Sequence, residues 1–218
     1  MACYLKLEKD KCMVFKYISS FKKKSSFSLI IVCLHGALLN SCVVTHEHPS
    51  LITPTPFIED KPSIDVCFSP EGNCLPIILN LINNAKIEIL VQSYSFTSKN
   101  IAYVLIKAHQ RGVNVKILFD RSQLTARYSQ INKLREAGID CLVDPVPGIA
   151  HNKIMIIDKD IVLTGSYNWT NAAETRNAEN LLLIKNRPMA KIYERKWKMR
   201  YQRAKERRLQ TIRSKILS

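Results

Sequence analysis

The chain has neither a G-x-G-x-x-G nor a Walker pattern, which excludes the glycine-built phosphate cradles of doubly wound nucleotide-binding domains. None of its seven cysteines falls in a C-x-x-C pair, so no structural zinc is expected. Acidic residues are scarce at both ends. Residues 1–42 hold 7 basic and 2 acidic side chains and residues 185–218 hold 13 and 2, whereas residues 43–184 hold 13 and 14. Most of the formal charge of +15 is therefore carried by the C-terminal segment. That segment suits nucleic-acid phosphates or anionic lipid headgroups, and equally a plain solvated helix. Histidine is sparse too: of five, only His151 stands two residues before a lysine.

Around that histidine the chemistry concentrates. Ile154 to Ile157 run into Asp158-Lys159-Asp160, and Ile161 to Thr164 follow, which predicts two short buried strands joined by a polar turn. In a strand, residues i and i+2 share a face, so His151 and Lys153 project to one side and Ile154 and Ile156 to the other. Ser166 and Asn168 repeat the spacing just beyond Gly165. An imidazole, an ammonium, a hydroxyl and an amide then converge without any metal. Such a set suits a tetrahedral anion: the imidazole attacks phosphorus while Lys153 and Asn168 hold the non-bridging oxygens. Asp158 falls on the opposite face from His151 and is expected to serve the turn.

The pattern H-x-K-x4-D followed by G-S-x-N is filled by His151, Lys153, Asp158, Gly165, Ser166 and Asn168, and it resembles the phospholipase D superfamily. The likeness spans roughly residues 62 to 200 and is nearest to the single-motif members, the bacterial endonuclease and mitochondrial cardiolipin hydrolase types. It implies an α/β sandwich and a two-step phosphodiesterase that needs no metal and no other cofactor. One histidine would form a phosphohistidine, while a second protonates the leaving oxygen and then deprotonates water. The resemblance also implies that Glu179 orients the His151 ring through its other nitrogen. His35, His46, His48 and His109 lack the motif context, so the second histidine is expected to be the His151 of another copy, in a twofold homodimer.

Residues 62–186 alternate helix and strand signals. Helices are predicted over 76–85, from a Ser98 cap to Arg111 with Gly112 as stop, and over 129–137. Strands are predicted over 87–94, 113–120, 139–143 and 180–184, beside the two motif strands. The result is a mixed β-sheet flanked by helices. Residues 187–218 form a basic tail, with a helix over 191–208 in which Ile192, Trp197 and Tyr201 pack on the domain while Arg195, Lys198 and Arg203 face out.

Ahead of the domain, residues 1–44 read as an export signal or membrane anchor. Lys22-Lys23-Lys24 precedes an apolar run centred on Phe27 to Leu34. Leu39-Asn40-Ser41-Cys42 resembles a lipobox, so lipidation at Cys42, simple cleavage and retention as an anchor all stay open, as does a start at Met1 or Met13. A buried core helix is the plainer alternative. Residues 45–61, with Pro49, Pro54 and Pro56, form a linker; His46 and His48 there are read as solvated. An exported domain would let Cys67 pair with Cys74, with Cys141 left to packing.

Three functions fit: a non-specific exported nuclease acting on DNA or RNA, which these features favour, a phospholipase of the cardiolipin type, and a non-catalytic phosphate- or membrane-binding module. Tyr167 and Trp169 beside the motif suit either base stacking or the core.

Overall fold

The computed structural model describes residues 61–217. The expected N-terminal signal, Cys42, His35, His46, His48 and all of the linker but Lys61 lie outside the described residues.

Segments whose apolar runs leave no polar face become interior strands. Every residue of β2 (Glu88–Ser93) is buried, and it pairs in parallel with β3 (Asn114–Phe119), which pairs in parallel with β4 (Asp140–Val143). Helix α1 (Cys74–Asn84) leads into β2, α2 (Lys99–Gln110) connects β2 to β3, and α3 (Ile131–Glu136) connects β3 to β4, the crossovers that parallel pairing requires. Ser98 caps α2 by accepting from the Ile101 N–H at 3.3 Å, and Gly112 ends it at φ +90°. The other strands run antiparallel: β5 (Lys153–Ile157), β6 (Ile161–Gly165), β7 (Glu179–Lys185), which the short helix α4 (Asn171–Thr175) precedes, and β1 (Ser63–Ser69). Together they form one seven-stranded sheet, ordered β1-β7-β6-β5-β2-β3-β4. This is the mixed, helix-flanked sheet the sequence predicts.

The period-2 alternation of the strands divides the core between two faces. Ile89, Val91, Ile117 and Phe119 pack with Ile78 and Ile82 of α1 and Leu105 of α2. Leu90, Leu118, Ile156 and Val162 point the other way and meet α5 (Arg187–Leu217). Residues Ala190, Tyr193, Trp197, Tyr201 and Ala204 recur every three or four positions and give α5 its packing stripe. Trp197 stacks on Tyr201 and donates its indole N–H to the Val91 carbonyl at 2.9 Å. Arg200 grips Asp144 at 2.6 and 2.9 Å. Ile192, expected in that contact, is 55% exposed: it lies one residue off the stripe, about 100° around the helix. Arg195, Lys198 and Arg203 are exposed as expected. The helix is also longer than predicted, because an exposed Arg- and Lys-rich sequence keeps high helix propensity beyond the packed turns.

Strand β1 carried no signal. Only Cys67 and Ser69 are buried, while Ser63 and Asp65 are as exposed as Ile64, Val66 and Phe68, so the usual alternation is missing over most of this edge. Cys67 and Cys74 are joined by a disulfide, tying β1 to the start of α1. Closing so short a ring contributes about 2.5 kcal/mol in the chain-entropy account. Cys141 is buried in β4, where burial pushes its thiol up to about 12, as befits packing.

Candidate active site

The carboxyl ends of β2 and β6 and the amino ends of β5 and β7 meet at one edge of the sheet. This edge gathers the motif. Lys153 opens β5 opposite Ser93 in β2 and is only 6% exposed. Its ammonium donates to the His151 carbonyl at 2.8 Å and lies 3.1 Å from each nitrogen of the His151 ring. It also sits 4.9 Å from the centre of the Tyr94 ring, which tilts against His151 with centroids 4.3 Å apart. Burial makes the Lys153 ammonium more acidic than a free lysine, an effect the negative charge of Glu179 partly offsets. His151 itself is exposed, so the ring is open to a substrate while the cation behind it is not.

On the other flank, Gly165 takes φ +136°, and a Cβ there would run into the Asn180 carbonyl. Glycine is required for β6 to close on β7. The Ser166 and Tyr167 N–H groups both donate to that carbonyl at 3.1 and 3.2 Å, and the Ser166 hydroxyl accepts from the Asn180 N–H at 3.0 Å. The Ser166 oxygen thus braces the turn and keeps its proton available. Asn168 Oδ1 and Ser93 Oγ are buried without a partner. Leaving such groups unpaired costs about 1–3 kcal/mol each; the third such atom among the described residues, Glu88 Oε1, lies at the other end of β2.

The alternate residues turn inward. Tyr167 and Trp169 are fully buried in the core; Tyr167 donates to Glu174 at 2.8 Å and Trp169 to the Gln92 carbonyl at 3.4 Å. Neither ring is placed to stack on a base. Glu179 opens β7, close enough for its charge to act on Lys153. Strand β6 separates β7 from β5, and within one chain the Glu179 carboxylate accepts from Asn177 Nδ2 at 3.0 Å rather than from the His151 ring. Asp158 lies at the far end of β5, where its carboxylate accepts from the backbone N–H groups of Lys86, Ile87 and Glu88 at 2.8, 2.7 and 3.0 Å. Those three bonds hold Asp158 and Lys159 at φ 51° and 59°, left-handed values that Asp tolerates better than most residues.

Three contributors escaped the sequence reading. Ser93 ends β2, Tyr94 follows it, and Asp120 follows β3. Asp120 accepts from the Ala150 N–H at 2.6 Å and from the Ser122 N–H at 2.9 Å, fixing the residue before His151. Burial opposes ionisation of Asp120, but the Ala150 and Ser122 backbone donors, the Ser122 hydroxyl and the Arg121 charge together outweigh it and hold its carboxyl below the usual range. The available signal was position: in sheets with parallel strands, ligands gather beyond the carboxyl ends of those strands. His109, the other described histidine, lies in the last turn of α2 beside the start of β3, at the opposite edge of the sheet. Among the described residues no cluster of His, Cys, Asp and Glu stands ready to hold a metal ion.

Known proteins are similar to this chain in sequence and fold. Residues 78–200 match a family described as cardiolipin synthase, phospholipase D-like domain. A Rickettsia felis protein named phospholipase D is 44% identical over 137 residues, covering 63% of this chain and 68% of that one. Human mitochondrial cardiolipin hydrolase is 31% identical over 162 residues, covering 68% of this chain and 64% of its own length. The solved structure of Nuc, a phospholipase D family member from Salmonella typhimurium, superposes with a TM-score of 0.62 at 39% identity and covers 65% of this chain and 95% of that one. The chain belongs to the phospholipase D family of phosphodiester hydrolases.

Proposed function

We propose that the chain hydrolyses the phosphodiester bonds of nucleic acids, with His151 as nucleophile. The observation that carries the chemistry is the exposed His151 ring with the buried Lys153 ammonium 3.1 Å from each of its nitrogens. A lone pair of the neutral imidazole attacks phosphorus, the P–O bond to the leaving group breaks, and the departing oxygen takes a proton from a second histidine. Water then attacks the phosphohistidine, giving its proton to that second histidine and freeing the His151 ring. Lys153 and the Asn168 amide stabilise charge building on the non-bridging oxygens. With His109 at the far edge of the sheet, the second imidazole comes from the His151 of another copy in a homodimer. In that assembly Glu179 has a further route to an imidazole, across the dimer axis.

The strongly basic α5 favours a polynucleotide. The Cys67–Cys74 disulfide supports the exported location suggested by residues 1–44. A second reading, phospholipid hydrolysis at a membrane, is favoured by the relatives named phospholipase D and cardiolipin hydrolase. Assays of the full chain on DNA, RNA and anionic phospholipid in parallel, with and without EDTA, separate these. Oligonucleotide cleavage that persists in EDTA is expected. Cleavage of lipid alone would overturn the substrate assignment, and loss of all activity in EDTA would overturn the metal-free mechanism.

A further inference from the structure

We propose that the cleft beneath the free end of α5 is a track for the phosphodiester backbone of a polynucleotide, leading the strand to the His151 edge. The proposal rests on the nuclease reading above. At 31 residues the helix is about 46 Å long, whereas seven strands span about 29 Å. The helix therefore overhangs the sheet. Its last buried residue is Ala204, and the turns beyond it wall a cleft of about 1120 Å³ against the β4 edge.

Arg203, Arg207 and Arg208 line this cleft from α5, and Arg121 and Arg135 line it from the sheet side. Two acids also reach it, Asp144 and Glu206. Asp144 is already engaged by Arg200 and by Gln92, and Glu206 accepts from Gln202. The balance is strongly cationic, and guanidinium groups match phosphate oxygens in bidentate geometry. Leu124, Leu142 and Pro145 add apolar surface between the charges, suited to sugars and bases.

Shape and position favour a strand over a membrane. The cations come from two walls of a concave cleft, which a flat bilayer surface does not enter. Arg121 is shared with the site: its guanidinium donates to the carbonyls of Val146, Pro147 at 2.7 Å and Gly148 at 3.1 Å, in the segment that leads to His151. Strand β4 ends at the same sheet edge as β2, three strand positions from β5. That separation is about 14 Å, the reach of a few consecutive phosphates.

The test uses the full chain, a long single-stranded oligonucleotide, bis(p-nitrophenyl) phosphate as a small diester confined to the His151 site, and phosphatidylglycerol vesicles. The variant is Arg203→Gln with Arg207→Gln, two exposed positions where glutamine retains helix propensity. Its control is Lys191→Gln with Lys196→Gln, which removes equal charge from exposed turns of α5 that do not line the cleft. The arginine variant is expected to raise the oligonucleotide KM roughly tenfold and to reduce the slope of log affinity against log salt by about 1.4, or 0.7 per lost phosphate contact. Kinetics on the small diester, and the lysine control on both substrates, are expected to follow the parent. An unaltered oligonucleotide KM and salt slope would sink the track alone, as would an equal effect from the lysine control. Loss of vesicle binding with oligonucleotide binding retained would replace the track with a membrane contact. A parent that hydrolyses the small diester but no oligonucleotide fails the nuclease reading itself, and the track falls with it.

Discussion

The two ends of β5 carry residues of one motif and are built in opposite ways. At the far end, the Asp158 carboxylate is saturated by three backbone N–H groups at 2.7 to 3.0 Å. At the near end, Lys153 is buried against an exposed histidine, and Asn168 Oδ1 and Ser93 Oγ have no partner. The Asp158 carboxylate is spent on backbone that holds a turn, whereas the Lys153 ammonium and the His151 ring at the other end stand against an open edge. On the proposed reading the motif acids and bases divide by role: Asp158 stabilises, and His151 reacts.

Substitutions can break that contrast. His151→Asn is expected to lower phosphodiester hydrolysis by about 10⁴-fold or more, as loss of a nucleophile does, with thermal stability unchanged because the ring is exposed. Comparable loss of Tm would place His151 on the structural side. Asp158→Ala is expected to do the reverse. Losing charge-assisted bonds to a held turn costs about 3 kcal/mol, measurable by urea denaturation, while kcat of the folded fraction stays near that of the parent. A specific fall in kcat with stability intact would erase the distinction.

Asp120 tests the contrast at its boundary, since it is a staple that holds a reacting residue. Its folded carboxyl lies below the ordinary value of 3.8, so its contribution is present above that value and is lost as pH falls through the lower folded one. Asp120→Asn is expected to cost about 2 kcal/mol near neutrality and to narrow the stability difference between neutral and strongly acidic solution. A variant with an unchanged pH profile would mean the Ala150 contact contributes nothing. The smallest effect belongs to Tyr94→Leu. Removing a ring that contacts both Lys153 and His151 costs about 0.5–1 kcal/mol, a twofold to fivefold change in kcat/KM.

Much of this was readable from the chain because it is local. The motif strands, the Asp158 turn, the Ser98 cap and the Trp197–Tyr201 stripe all follow from spacings within a few residues. The near end of β5 was half legible for the same reason: His151 and Lys153 share a strand face by period, and Ser166 and Asn168 follow Gly165. What stayed hidden depends on contacts between distant segments. Strand β1 pairs with β7 across more than a hundred residues, with exposed apolar residues where alternation would put polar ones. Asp120 reaches Ala150 from thirty residues away, and nothing in its own neighbourhood marks it. The placement of Glu179 needs the strand order, which puts β6 between it and His151.

The near end of β5 is held to be half of a catalytic site, completed by the same residue of a second chain. Subunit mixing tests this most directly, by co-expressing the parent with differently tagged His151→Asn chains and reading phosphodiester hydrolysis at constant total protein. A mixed dimer has one imidazole where two are needed, so activity is expected to follow the square of the parent fraction, about a quarter at equal amounts. Activity proportional to the parent fraction, about half at equal amounts, would show that each chain works alone and would contradict the shared site.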